Sequence, residues 1–213
     1  QDKQNKKGIS LILSIVLVFF MLGAVVFSVA RKITVEMSTS AIHNLSESLG
    51  LVKGTIEAIL SKEAEFQKMI AQELTMMEDP ESFIRSYNQN RTMARISLIF
   101  AGETTGVSNI SDPFSEEELD FSSGKTVEGL PISRSYLNNL GTWAYTMKCP
   151  VVKEGKEIAT LYIEYIYDSF DEALPEKFYN GDAMLYVMDA KSERLMLKPK
   201  GMGERKAGHV DLQ

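Results

Sequence analysis

The chain is poor in the residues that carry most enzyme chemistry. Its 213 residues include one cysteine, two histidines and one tryptophan. A single cysteine excludes an internal disulfide, and no cysteine pair stands at metal-ligand spacing. His43 lies in the long helical stretch and His209 in the terminal loop, far apart in sequence, and both read as solvated or packing side chains. Cys149, directly before Pro150, has no histidine placed to activate it and reads as a small buried hydrophobe. Two glycine-rich strings fail on spacing. "SSGKT" offers Gly124-Lys125-Thr126, but a phosphate loop needs a glycine where Leu119 stands. "GMGERKAG" puts Lys206 where a dinucleotide fingerprint needs its third glycine. No Gly-x-Ser-x-Gly elbow occurs, and acidic runs such as Glu116-Glu117-Glu118 read as a solvated face. No motif argues for an enzyme, and neither a cofactor nor a metal is expected.

Basic charge is scarce as well, and unevenly spread. The net charge is −6, yet five of the 23 basic residues and only one of the 29 acidic ones lie in residues 1–32. The remainder carries 18 basic against 28 acidic residues, a net of −10. So acidic a body, without a basic stripe interleaved with aromatics, does not suit nucleic acid. Hydrophobic content of 44% and charged content of 24% are ordinary for a folded protein. The start on Gln1 and the ending "GHVDLQ" read as a fragment of a longer chain.

Residues 8–30, "GISLILSIVLVFFMLGAVVFSVA", hold no charge. At about 1.5 Å per residue they make roughly 34 Å of helix, enough to cross a bilayer core of about 30 Å. A cleaved signal peptide is the alternative, with small residues at Ser28 and Ala30, but its apolar region is usually about 7–15 residues long. An uncleaved anchor is therefore expected. Three lysines before the span against Arg31 and Lys32 after it put residues 1–7 in the cytoplasm and the acidic body outside.

Proline is missing from residues 31–76, and the apolar residues there recur at alternating spacings of three and four. Val35, Ile42, Leu49, Ile56 and Ile70 occupy one heptad position; Leu45, Val52, Ile59 and Phe66 occupy its partner. Ser38, Glu63 and Glu73 interrupt the stripe. Two readings are open: a seam that pairs with a second helix, or one amphipathic helix lying on its own domain. Both hold together if the membrane-near half dimerises and the far half packs on a sheet. Gly50 and Gly54 weaken the helix and favour a close neighbour.

Beyond residue 76 the pattern changes to short strands. "EDPESFIRSYNQN" predicts a helix with Asp79 as N-cap and Pro80 at its first position. Residues 93–100 and 107–110 predict a hairpin, "DPFSEEELDF" a short acidic helix, and "SSGKTVEGLP" a loop. Residues 142–152 and 157–167 predict two strands joined around Gly155, and residues 184–189 and 194–198 a further hairpin. The fold class is α+β with an antiparallel sheet after one long helix.

"SYLNNLGTWAYTMKCPVVKEGKEIATLYIEY" carries a family resemblance. Tyr136, Gly141 and Trp143, then Cys149-Pro150-Val151-Val152, the turn Lys153-Glu154-Gly155-Lys156 and the strand closing on Glu164 resemble the core of an extracytoplasmic Cache sensor domain. The preceding span, long helix and "RISLIFAGETTGVSNI" hairpin stand in that family's order. "LYVMDAKSERLMLKPKG" resembles the opening of a second module, as in double Cache receptors. The resemblance implies a PAS-like sheet and a small ligand in the membrane-distal module of a bacterial or archaeal receptor. The output would be of diguanylate cyclase, histidine kinase or chemoreceptor type. In amino-acid-binding members an acidic residue on the last strand pairs with the ligand amine, while tyrosine, tryptophan and arginine hold the carboxylate. Glu164 falls at the acidic position and Tyr136, Trp143 and Tyr145 on the ligand-facing segment. Arg134 is offset from Trp143, so the family's Arg-x-Trp-Tyr string is absent, and glutamate replaces the usual aspartate.

The residues themselves leave two readings. Alternation puts Leu161, Ile163, Tyr165 and Tyr167 on one face and Tyr162, Glu164, Ile166 and Asp168 on the other; Trp143, Tyr145 and Met147 share a face of the neighbouring strand. These are the walls of a small-molecule pocket, or a crowded core with Glu164 at an exposed position. Arg95 is a candidate cation from the first strand, or a solvated one. The expected ligand contacts are Tyr136, Trp143, Tyr145, Glu164 and Arg95, for an amino acid, carboxylate or amine.

The expected organisation is a cytoplasmic tail (1–7), a transmembrane helix (8–30) and a connector helix (31–76). A membrane-distal sensor module (77–175) and the start of a membrane-proximal one (176–213) follow. A homodimer through the long helix in the inner or plasma membrane is expected. The competing expectation is a membrane-anchored assembly module without a small ligand.

Overall fold

The computed structural model describes residues 2–89, 92–110, 113–174, 184–192 and 194–201, without the side chains of 2–19 and 198–201. Helix α1, Asp2–Leu74, runs through the residues of the predicted span and ends two residues short of the predicted connector's end at 76. The chain divides into two compact units, Gln1–Leu49 and Gly50–Gln213. The first unit is helix alone. Its described part exposes Phe20, Leu22 and Phe27 at 79%, 61% and 69%. Among the described residues no helix is long and apolar enough to cross a membrane. Of the span predicted at 8–30, the side chains of 8–19 lie outside those described.

In the second unit the last turns of α1 lie on an antiparallel sheet. Asp79 caps α2, Pro80–Ser86, accepting from the Ser82 N–H at 3.0 Å, with Pro80 at the first turn as its fixed φ favours. The sheet comprises β1 (Met93–Phe100), β2 (Thr105–Ser108), β3 (Phe114–Ser115), β6 (Tyr136–Leu137), β7 (Trp143–Lys153) and β8 (Lys156–Ile166). Its strand order is β3-β2-β1-β8-β7-β6, which puts the first and last long strands side by side in a curled, PAS-like sheet. Helix α3, Asp168–Ala173, follows β8. A separate hairpin pairs β9, Met184–Met188, with β10, Leu195–Gly201. The second module predicted over 176–213 otherwise falls largely outside the described residues.

Three predictions change in detail. The return strand expected at 107–110 starts earlier, as β2, Thr105–Ser108. The acidic helix expected in "DPFSEEELDF" is β3 and one 3-10 turn, Glu116–Glu118. The loop expected in "SSGKTVEGLP" folds back as a small hairpin, β4 (Thr126–Val127) and β5 (Leu130–Pro131). Its corner is Glu128-Gly129, with φ of 48° and 82°. The β7–β8 corner, Glu154-Gly155, repeats this with φ of 53° and 78°. Two consecutive positive-φ residues match the right-handed twist of the flanking strands, and glycine at the second position removes half the steric cost.

Register separates the two faces of the sheet. Tyr145 pairs with Tyr165 and Met147 with Ile163, while Thr146 pairs with Glu164, which also pairs with Arg95 of β1. Tyr145, Met147, Ile163 and Tyr165, all at most 1% exposed, form the core with Val52, Ala64, Ile70, Ala71 and Leu74 of α1. The far half of the heptad stripe thus packs on the sheet. Its near half stays bare, with Ile42, Leu45 and Leu49 exposed at 70%, 43% and 49%. Gln67, fully buried, donates from Nε2 to the carbonyls of Met147 (2.9 Å) and Leu161 (3.0 Å), tying the helix to both central strands.

Candidate ligand-binding site

The sheet face away from α1 carries Arg95, Thr146 and Glu164, and over it lies a cavity of about 340 Å³. That volume is at the lower end of small-molecule sites, which run from about 300 Å³ upward. Glu164 and Arg95 lie on its sheet side. The segment from Tyr136 to Leu140 makes one wall; Phe114, Glu118 and Leu119 make another.

Glu164 is held from two directions. The Tyr136 hydroxyl lies 2.8 Å from its Oε2 and 2.6 Å from Thr146 Oγ1. Asn138 Nδ2 donates to its Oε1 at 3.0 Å. The asparagine amide is itself oriented, because its Oδ1 accepts the N–H groups of Leu140 and Thr142, both at 3.0 Å. The turn Asn138–Gly141 therefore holds Asn138 against the carboxylate, with Gly141 supplying the positive φ (72°) that the turn requires. Burial, and then the Glu164 charge, push the Tyr136 phenol well above its usual pKa, so it stays a donor.

Arg95, 8% exposed, donates from Nε to Ser108 Oγ at 2.9 Å and lies 4.9 Å from the Phe114 ring centroid. A guanidinium so stacked enters the cavity as a fixed cation. The opposite wall is tied down by Lys148, whose Nζ lies 2.6 Å from Glu116 Oε1, and by the Tyr162 hydroxyl on Glu116 Oε2. Burial raises the Glu116 pKa, but the bonds from Lys148 and Tyr162 outweigh it and leave the carboxyl below its usual value. Leu137 and Leu140, exposed at 44% and 76%, add apolar surface to a lining that also holds Gln89, Asn139 and Glu118.

Of the five predicted contacts, Tyr136, Glu164 and Arg95 meet in this cavity, and Trp143 and Tyr145 do not line it. The Trp143 indole donates to the Leu195 carbonyl of β10 at 2.9 Å. Tyr145, 1% exposed, faces α1, where its hydroxyl bonds Glu63 and its ring stacks on Tyr165 and Phe170 at 5.7 and 5.9 Å. Sequence reasoning passed over Asn138, Phe114 and Gln89, which also line the cavity. The "NNLG" string was the available signal for Asn138, since asparagine before glycine marks a turn whose side chain bonds backbone.

No family model matches the sequence, and no curated protein matches it significantly. Solved structures do. The sensory domain of the Campylobacter jejuni chemoreceptor Tlp3, with isoleucine bound, superposes with a TM-score of 0.56 at 14% identity, over 76% of this chain and 71% of that one. The ligand-binding domain of the Pseudomonas aeruginosa amino acid chemoreceptor PctC, in complex with GABA, gives 0.54 at 16% identity, over 73% and 74%. Tlp3 with 4-methylisoleucine gives 0.54 at 14% identity, over 80% and 75%. The chain has the fold of chemoreceptor ligand-binding domains, as the Cache resemblance predicted.

Proposed function

We propose that the chain is the extracytoplasmic sensory region of a membrane receptor and that it binds a small amine-bearing molecule over Glu164. The observation that carries this is the preset carboxylate. Tyr136 and Asn138 fix both of its oxygens at the floor of the cavity. A charged acceptor held in advance binds a cationic amine without first having to be ordered. Arg95 is the matching contact for a carboxylate, so an amino acid is the leading ligand class; isoleucine and GABA, bound by the similar domains, share an amine and a carboxylate. Trp143 and Tyr145, expected as contacts, act in this reading as supports behind the cavity.

The remaining expectations join this proposal. Residues 8–30 form the membrane anchor, supported by their uncharged run and the exposure of Phe20 and Phe27. Residues 77–175 form the ligand-binding module, and 176–213 begin a membrane-proximal one. The bare stripe Ile42, Leu45 and Leu49 pairs with a second copy. Ligand binding then biases two arrangements of the paired helices and a cytoplasmic output.

A thermal-shift screen of the chain in mild detergent against amino acids, carboxylates and amines tests the proposal. At least one amine-bearing compound should stabilise the wild type and lose its effect in Glu164→Gln. A ligand that stabilises both proteins equally would remove Glu164 from the site.

A further inference from the structure

Cavity and helix lie on opposite faces of the same two strands. Thr146 and Glu164 are cross-strand partners on the cavity side, and the adjacent pair, Tyr145 and Tyr165, faces α1. Both tyrosines end on a single residue of the helix. The Tyr145 hydroxyl donates to the Glu63 carboxyl Oε2, and the Tyr165 hydroxyl donates to the Glu63 carbonyl at 3.1 Å.

Glu63 is an expensive choice for that position. It is 8% exposed, and among the described residues no donor reaches its Oε1. Ile56, Ile59 and Ile70 continue the apolar stripe on either side, so an aliphatic residue would meet the packing requirement. A buried carboxyl with one donor favours its neutral form. Burial raises its pKa from 4.5 to about 7, and the Tyr145 hydrogen bond and the Lys62 charge offset only part of that rise. The titratable groups facing it are Tyr145 of β7 and Tyr165 of β8. Lys62 of α1 and Glu172 of α3 line the same cleft, which holds about 500 Å³. This cleft gives the carboxyl proton a route to solvent.

We propose that Glu63 is the positioning residue joining the two faces: its carboxyl gains and loses a proton as the Tyr145–Tyr165 pair shifts, so that the state of the cavity and the pH of the surrounding solution jointly set how residues 56–70 seat on the sheet. The neutral form lies comfortably in the apolar interface, and the carboxylate left by release of the proton to solvent is pushed toward water. By linkage, whatever tightens the seating retains the proton, and protonation favours that same state. Only the identity of the cavity as a ligand site rests on the reading above; the coupling between cavity wall and helix does not.

The test therefore uses no ligand. Carboxyl-carbon NMR of the full chain in mild detergent, assigned by loss of the signal in Glu63→Gln, gives the titration midpoint. It should lie near 7, and Tyr136→Phe, a change on the far face that adds no charge, should move it by about one pH unit. Hydrogen exchange, corrected for its intrinsic pH dependence, should show residues 56–70 losing about tenfold protection between pH 6 and 8 in wild type but not in Glu63→Gln. A midpoint below 5, a midpoint unmoved by Tyr136→Phe, or equal protection loss in both proteins would each overturn the coupling. A failed ligand screen beside a positive result here would count against the ligand reading alone.

Discussion

Replacing Glu63 by glutamine should make the protein more stable at pH 8 while changing little at pH 5. The carboxyl has a reference pKa of 4.5 and a folded value of about 7, because burial disfavours its charge. Below 4.5 it is neutral in both states and its contribution to stability is fully present. Between 4.5 and 7 the unfolded chain gives up the proton while the folded one keeps it, so stability falls by about 1.36 kcal/mol per pH unit. Above 7 both states are ionised and the loss levels off at about 3 kcal/mol, the energy of a shift of roughly 2.5 units. Glutamine has no proton to lose and keeps an acceptor for the Tyr145 hydroxyl. Urea denaturation in mild detergent reads the difference. Near-UV circular dichroism, which senses the packed tyrosines, should follow it at half-unit steps from pH 5 to 8.5. The wild-type minus variant curve should slope downward to about pH 7 and then flatten. A flat difference across that range, or one rising with pH, would refute the assignment of a neutral buried carboxyl.

Other consequences are as specific. Tyr136→Phe removes the bonds to Thr146 and Glu164 and should cost about 1–2 kcal/mol in denaturant titration while weakening ligand binding at least tenfold by calorimetry. Gln67→Leu strips the donor from two strand carbonyls and should cost about 1–3 kcal/mol, with faster hydrogen exchange at the centre of β7 and β8. Gly106→Ala would place a methyl 2.0 Å from the Leu98 carbonyl oxygen, forcing β2 away from β1; a loss above about 2 kcal/mol is expected in thermal unfolding. Lys148→Met frees Glu116 and the wall it anchors, and should weaken ligand binding severalfold without altering the far-UV spectrum.

Local pattern made much of the architecture legible. β1 occupies the predicted residues 93–100, Asp79-Pro80 opens α2, and Glu154-Gly155 turns β7 into β8, because caps, β-branched runs and glycine corners act over a few residues. The site was half legible. Alternation put Glu164 opposite Tyr165 along β8, but the face shared by Tyr145 depends on the pairing of Tyr145 with Tyr165. A one-residue slip reverses that assignment, and sequence alone does not set the slip. Arg95 joined Glu164 for the same long-range reason, since β1 lies beside a strand some seventy residues away in the chain. The service of Asn138 to the carboxylate arises from the fold of a four-residue turn. Glu63 was visible only as a break in an apolar stripe, and its burial emerges from the way α1 meets the sheet.

The central claim is that Glu164, preset by Tyr136 and Asn138, receives the amine of a small ligand. Isothermal titration of the full chain in mild detergent with L-isoleucine, 4-aminobutyrate and the amine-bearing compounds that stabilise it in the thermal screen tests this most directly. Saturable one-to-one binding by at least one of them, weakened at least tenfold by Glu164→Gln and much less by Tyr145→Phe, which lies outside the cavity, is the predicted result. The account would be contradicted if no such compound bound, or if binding survived Glu164→Gln unchanged.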